Sequence, residues 1–340
     1  NIVGYYGVNI TGSYNLIYSS NVAGSGGYGV YIASSHNTTI YGSRIVGYGG
    51  DGIDIYGSYN NVTDSYVAGY DGAGIVIYGS YNLIYYSNVT SHGSDFIGVA
   101  LYGSHNLIYY SNITSEGGYG ILAGGSDNLI YGSTIVGHGD GLDVLDNDTA
   151  IYDSTIVGHG GNGIFILGSN NTIRGTNVTG RSDGIYIQGS DSNIYRSTIA
   201  GGNDGIYIYG SDSNITDSNA TGGGYYGVYV GGSDTTIYGS TIAGGHYGVY
   251  VAGSRDNITD SIITDSYIGI EIVGSGDSII NSTVTGNNYG IYLYYDSGTL
   301  ITGDIISNNS RYGLYMDGSS GDLIYNNLFN NTNNVHIVSG

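Results

Sequence analysis

The sequence predicts an all-β fold: a single right-handed parallel β-helix, or β-solenoid, of about sixteen coils of 21–24 residues. Three observations carry that prediction. A motif of glycine, aliphatic, any residue, aliphatic recurs throughout, at Gly7, Gly29, Gly52, Gly74, Gly98, Gly120, Gly141, Gly163, Gly184, Gly205, Gly227, Gly248, Gly269, Gly290 and Gly313, with Asn334 in the sixteenth slot. Two further aliphatic columns repeat with the same period. And each repeat is too short to hold a helix beside its three strand signals and three turns.

The first strand of each coil is the glycine motif itself, as in Ile206-Tyr207-Ile208, with the alternation of a half-buried strand. The second centres on one aliphatic residue, a column that includes Val62, Ile84, Ile108, Ile194, Ile215 and Ile237. The third carries another aliphatic five residues on, among them Ile45, Val67, Val89, Ile199, Ala220 and Ile242. Each strand can pair only with its equivalent one coil away, and such parallel connections are right-handed in about 98% of cases. The bend between second and third strands carries Gly42, Asp64, Gly132, Asp153, Gly175, Asp217, Gly239, Asp260 and Asn281, residue types that tolerate a left-handed backbone. A serine column beside them (Ser43, Ser65, Ser87, Ser197, Ser218 and others) predicts a ladder of hydroxyls at that corner.

Composition agrees with one uniform domain over 1–340. Pro and Cys are absent, so neither disulfides nor thiolate metal sites are available. Hydrophobic residues make up 40%, enough for a core. The formal net charge of -21 comes from scarce base, six Arg and no Lys against 27 acids. Such a surface repels nucleic acid, anionic lipid and polyanionic glycans, and no apolar run reaches the ~20 residues of a membrane helix. A chain that begins at Asn1 without a signal-like segment reads as a mature form, extracellular or at the cell surface.

The strings GIYIQGSDSNIYRSTIAG from Gly184 and GIYIYGSDSNITDSNATG from Gly205 resemble the repeats of the pectin-lyase-like right-handed β-helix superfamily, in particular NosD-like and carbohydrate-binding, sugar-hydrolase repeats. The resemblance covers essentially the whole chain. It implies the fold, and it leaves function open, because the superfamily includes polysaccharide lyases, glycoside hydrolases, epimerases, phage tailspikes, adhesins and surface proteins.

Several motifs were weighed as sites. Gly137-His138-Gly139 and Gly158-His159-Gly160 resemble the polygalacturonase GHG signature, but the paired DD and the later RIK are missing, and Asp146 follows the first GHG. Gly24 to Gly29 matches GxGxxG without the helix a dinucleotide site needs. Gly49 to Tyr56 fits one isolated calcium-binding nonapeptide. Seven residues after the motif glycines, Asp191, Asp212 and Asp234 fall in one column, a candidate calcium ladder set against simple turn preference. Calcium is the one cofactor so suggested. Outward tyrosines Tyr186, Tyr207, Tyr229, Tyr250, Tyr292 and Tyr315 form a candidate contact surface, set against stabilisation of the strands by cross-strand stacking alone. Fourteen N-x-S/T sequons include Asn37, Asn61, Asn88, Asn112, Asn177, Asn214, Asn257 and Asn281, candidate glycosylation sites of a secreted chain.

The sequence shows no capping unit: Asn1-Ile2-Val3-Gly4 already reads as a third strand and Asn334-Val335-His336-Ile337 as a first. Bare edges recruit other chains, so the expectation is a structural protein, a subunit of a cell-surface layer or head-to-tail filament of its own copies with lateral tyrosine contacts. The alternative is a polysaccharide-active enzyme or a glycan-binding adhesin rod. Catalysis is not expected, since no long loops break the repeat to build a cleft.

Overall fold

The computed structural model describes residues 1–338. The chain is an all-β solenoid of about fifteen turns with three parallel sheets, and no helix occurs among the described residues. Among the described residues forty-seven short strands make fifteen full turns with two strands over, which is the sequence count of sixteen first and third strands with one second strand fewer. Where composition shows one unbroken repeat, the chain divides into two compact units, Asn1–Thr172 and Ile173 onward.

Within each unit the strands pair in register with their equivalents one turn on. In the first unit, Ile53, Ile75 and Val99 align in the first-strand sheet, Val62, Ile84 and Ile108 in the second, and Ile45, Val67 and Val89 in the third. In the second unit the corresponding rows are Ile185, Ile206 and Val228; Ile194, Ile215 and Ile237; and Ile199, Ala220 and Ile242. All of these side chains are buried. β-Branched residues suit such a stack, because a stiff χ1 holds each side chain over its neighbour. Burial contributes ~1.5–3 kcal/mol for each full-sized aliphatic.

The motif glycine is required by close approach rather than by an unusual φ. A Cβ at Gly205 would lie 2.5 Å from the carbonyl oxygen of Gly227 on the next turn. The bend between second and third strands is different. There the left-handed residues foreseen from their type do take positive φ: Gly42 at 58°, Asp64 at 47°, Asp217 at 49° and Asn281 at 53°. The serine ladder stands beside them. Ser43 N–H donates to Ser65 Oγ and Ser65 N–H to Ser87 Oγ, each at 3.2 Å, while Ser43 Oγ donates to the carbonyl of Tyr41 in its own turn. Ser197, Ser218 and Ser240 repeat the pattern in the second unit. One hydroxyl thereby satisfies a backbone donor and a backbone acceptor at a buried corner.

Candidate functional site

The features that can meet a ligand lie on the outward side of the first-strand sheet. In the second unit, alternation points the middle residue of each glycine motif outward, and parallel register places like residues ~4.8 Å apart. Tyr186 pairs with Tyr207, Tyr207 with Tyr229, and Tyr229 with Tyr250. Their rings stack at centroid distances of 5.3, 4.1 and 5.6 Å and interplanar angles of 8°, 12° and 7°. Tyr209 flanks the ladder on one side, 5.0 Å from Tyr207. Tyr226 and Tyr247 flank it on the other, stacked on each other at 5.3 Å. The stacked faces are used up against one another, so the ladder presents ring edges and phenolic hydroxyls. Burial, foremost, pushes the hydroxyls of Tyr226 and Tyr247 up to about 12 and that of Tyr207 higher still, which keeps them protonated donors.

Glu271 takes the next slot, paired between Tyr250 and Tyr292. It is 7% exposed, and burial pushes its carboxyl up to about 7. Tyr292 and Tyr315 continue the column edge to face at 4.9 Å. The six tyrosines expected to form a contact surface therefore fall on one column, broken once by an acid.

In the first unit the same column reads Asn9, Tyr31, Asp54, Val76, Ala100, Leu122, Asp143 and Phe165. Val76 and Ala100 are buried against Ala73 and Ile97. Asp54 and Asp143 are only 3% and 5% exposed. Each has a second acid three residues earlier: Asp51 beside Asp54, Asp140 beside Asp143. Burial, then the hydrogen bond with Asp51, pushes the Asp54 carboxyl up to about 8. Asp143 is raised equally, by burial and then the charge of Asp140. Ala73 N–H donates to Asp51 Oδ1 at 2.5 Å and Asn162 N–H to Asp140 Oδ1 at 2.6 Å. Asp54 Oδ1 and Asp143 Oδ1 are buried with no donor of their own. Burial thus favours the protonated form of Asp54 and of Asp143 near neutral pH.

The pair at Asp51 borders a cavity of about 310 Å³ lined by Tyr6, Tyr28, Asp51, Asp71, Phe96 and five glycines. Tyr6 and Tyr28 stack across its wall at 6.1 Å. The Tyr28 hydroxyl is raised by burial, then by the charges of Asp54 and Asp51. Sequence reasoning missed both acid pairs. Their signal is Asp-Gly-aliphatic-Asp, at Asp51-Gly52-Ile53-Asp54 and Asp140-Gly141-Leu142-Asp143; the first lies inside the nonapeptide weighed for calcium.

Asp191, Asp212 and Asp234 do share a column, all in left-handed turns at φ of 57°, 57° and 60°. Their N–H groups donate to the carbonyls of Ser211, Ser233 and Ser254 on the following turn. Asp234 is clasped by Arg255, with Nε to Oδ1 at 2.9 Å and Nη2 to Oδ2 at 2.5 Å, which holds its carboxyl below the usual range. Among the described residues no group of three or more His, Cys, Asp or Glu gathers as a metal site. His138 and His159 occupy equivalent turn positions, their N–H groups donating to Ser115 and Gly137 carbonyls, and Asp146 caps the N–H of Asn147. Of the glycosylation candidates, Asn37, Asn88, Asn112, Asn177, Asn257 and Asn281 are exposed, while Asn61 and Asn214 are half-buried.

The sequence model of the family described as periplasmic copper-binding protein (NosD) matches residues 169–340, and that of the right handed beta helix region matches 6–149. No curated protein matches the chain. Among solved structures, the Dettilon tailspike protein is similar at a TM-score of 0.54 and 13% identity, over 82% of this chain and 62% of that one. An alginate lyase from Paenibacillus sp. str. FPU-7 is similar at 0.51 and 13%, over 63% and 91%. The tailspike of E. coli bacteriophage HK620, in complex with a pentasaccharide, is similar at 0.51 and 9%, over 92% and 67%. At these identities the likeness shows the fold. Copper is held by imidazole, thiolate and thioether groups. This chain has no Cys and one Met, Met316, and with no cluster of ligating side chains among the described residues it does not fit a copper centre.

Proposed function

The chain belongs to the periplasmic copper-binding protein (NosD) family, and from that premise we propose that it binds neutral polysaccharide along the outward tyrosines of its first-strand sheet. The observation that carries this reading is the ladder Tyr186–Tyr207–Tyr229–Tyr250, four rings in register whose half-buried edges line up hydroxyls one turn apart. A repeating row of hydroxyl donors and apolar edges suits a repeating chain of sugars, which offers acceptors and C–H faces in turn. The formal charge of -21 argues for a neutral glycan over a uronate polymer. Binding without cleavage fits the ladder, whose one carboxyl, Glu271, has only tyrosines beside it in the column; a glycosidase needs two carboxyl groups across the bond. The family's description as periplasmic supports a location outside the cytoplasm.

Affinity electrophoresis through gels cast with neutral or uronic polysaccharides tests the reading. Retardation by a neutral polymer is expected, weakened roughly tenfold in the double variant Tyr207→Ala, Tyr229→Ala with an unchanged β spectrum. Retardation by uronate alone, or a double variant that binds like the parent, would overturn it.

A further inference from the structure

We propose that the cavity walled by Tyr6, Tyr28, Asp51, Asp71 and Phe96 is a subsite for a sugar carrying a protonated primary amine. The inference rests on the glycan reading and adds to an otherwise neutral chain one residue that carries an amine.

The cavity holds about 310 Å³, which is room for one sugar ring. Two carboxyl side chains and three aromatic rings line it, and none of its lining residues is basic. Carboxylates recognise an ammonium group through charge-assisted hydrogen bonds, and the aromatic rings beside them give a sugar ring apolar contact. Glycines make this arrangement possible. A Cβ at Gly27 would strike the ring of Tyr6, and one at Gly72 would strike Asp51 Oδ1. The turns are therefore bare where the ring and the carboxylate lie over them.

A second observation points to a ligand that donates. Asp54, three residues on and 3% exposed, has an Oδ1 with no hydrogen-bond partner among the described residues. Within the protein Asp51 Oδ1 accepts the Ala73 N–H, and burial favours the proton on Asp54. An ammonium group brings three N–H donors and a positive charge to Asp51 and Asp71 on the cavity wall. A hydroxyl brings one donor and no charge, and an N-acetyl group brings one N–H without charge. A quaternary ammonium brings no donor at all.

The molecule contains its own control. Asp140 and Asp143 form the same pair, and the Asp143 charge raises a neighbouring tyrosine, Tyr119, as the Asp54 charge, after burial, raises Tyr28. There the position equivalent to Asp71 is Gly160. The second pair thus lacks the facing carboxylate.

Calorimetry on the full chain at pH 7, with a glucosamine tetramer and its fully N-acetylated counterpart, decides the matter. The free amine form is expected to bind at least tenfold more tightly. The preference should vanish in Asp51→Asn, Asp71→Asn, which keeps the Oδ1 that caps Ala73, and persist in Asp140→Asn. Equal affinity for the two tetramers overturns the subsite and leaves the polysaccharide reading standing. A preference that survives the double variant, or that Asp140→Asn removes equally, reduces it to attraction by net charge. Absence of binding by either tetramer counts against both.

Discussion

At the corner that leads into the second strand, the two units solve the same problem with different side chains. The first uses Asn60, Asn82, Asn106 and Asn128; the second uses Asp256 and Asp277, and Asp322 further on. In both, one side-chain oxygen accepts the N–H of the preceding turn. Asn60, Asn82 and Asn106 N–H groups donate to the Oδ1 of the next Asn at 2.8 Å. Thr235 N–H donates to Asp256 Oδ1 at 2.7 Å and Asp256 N–H to Asp277 Oδ1 at 2.8 Å. The other limb differs. Asn106 Nδ2 donates to the carbonyls of Gly79 and Gly103, at 3.1 and 2.8 Å. Asp256 Oδ2 and Asp277 Oδ2 stand in the corresponding place, buried, with nothing to accept from. An ionised carboxylate there faces backbone oxygens, while a protonated one can donate as the amide does. Burial foremost, against the pull of the backbone hydrogen bond, raises Asp256 to about 7 and Asp277 to about 6. The amide ladder is satisfied at every pH and the acid ladder only when it holds its protons.

The sign follows directly. The folded pKa values of Asp256 and Asp277 lie above the unfolded 3.8, so their contribution is complete below about pH 4 and is lost as pH rises through 6 to 7. The largest effect should come from importing the acid into the first unit. Asn106→Asp is expected to destabilise by on the order of 3 kcal/mol at pH 8, measured by urea unfolding, and by much less at pH 4. A cost independent of pH would break the comparison.

The reverse exchange should be favourable and smaller. Asp256→Asn with Asp277→Asn is expected to stabilise by on the order of 2 kcal/mol at pH 8 and to change little at pH 4. Destabilisation at pH 8 would mean that the carboxylates have a partner other than a proton. The smallest effect concerns the exposed column. With Asp234 already held by Arg255 and the residue type explained by its left-handed turn, millimolar calcium should leave the melting temperature unmoved. A calcium-induced rise, removed by Asp191→Asn with Asp212→Asn, would make that column a cation site after all.

The exposed Asp column and the buried acid pairs show how far the sequence reaches. Asp191, Asp212 and Asp234 were legible as a column because they repeat with the coil. Asp54 and Asp143 were not singled out, because alternation places them outward, and outward ordinarily means solvated. They are buried by what stands on either side of them on the same face, and the repeat says nothing of that. The tyrosine columns and their cross-strand stacking were legible as rows; the geometry adds that the stacked rings leave a line of edges and hydroxyls in place of a sugar-stacking surface.

What the sequence determined by itself was everything governed by the repeat period: the three strands, their register, the aliphatic rows inside, the serine ladder and the left-handed bends. A residue one coil away in sequence is the nearest neighbour along the sheet, so each of these contacts is already written as a spacing. Only the tertiary structure decided which outward carboxyls meet, which of their oxygens go without a donor and where a cavity opens. Those depend on contacts across the corners of a turn, between particular side chains whose rotamers the surrounding packing selects.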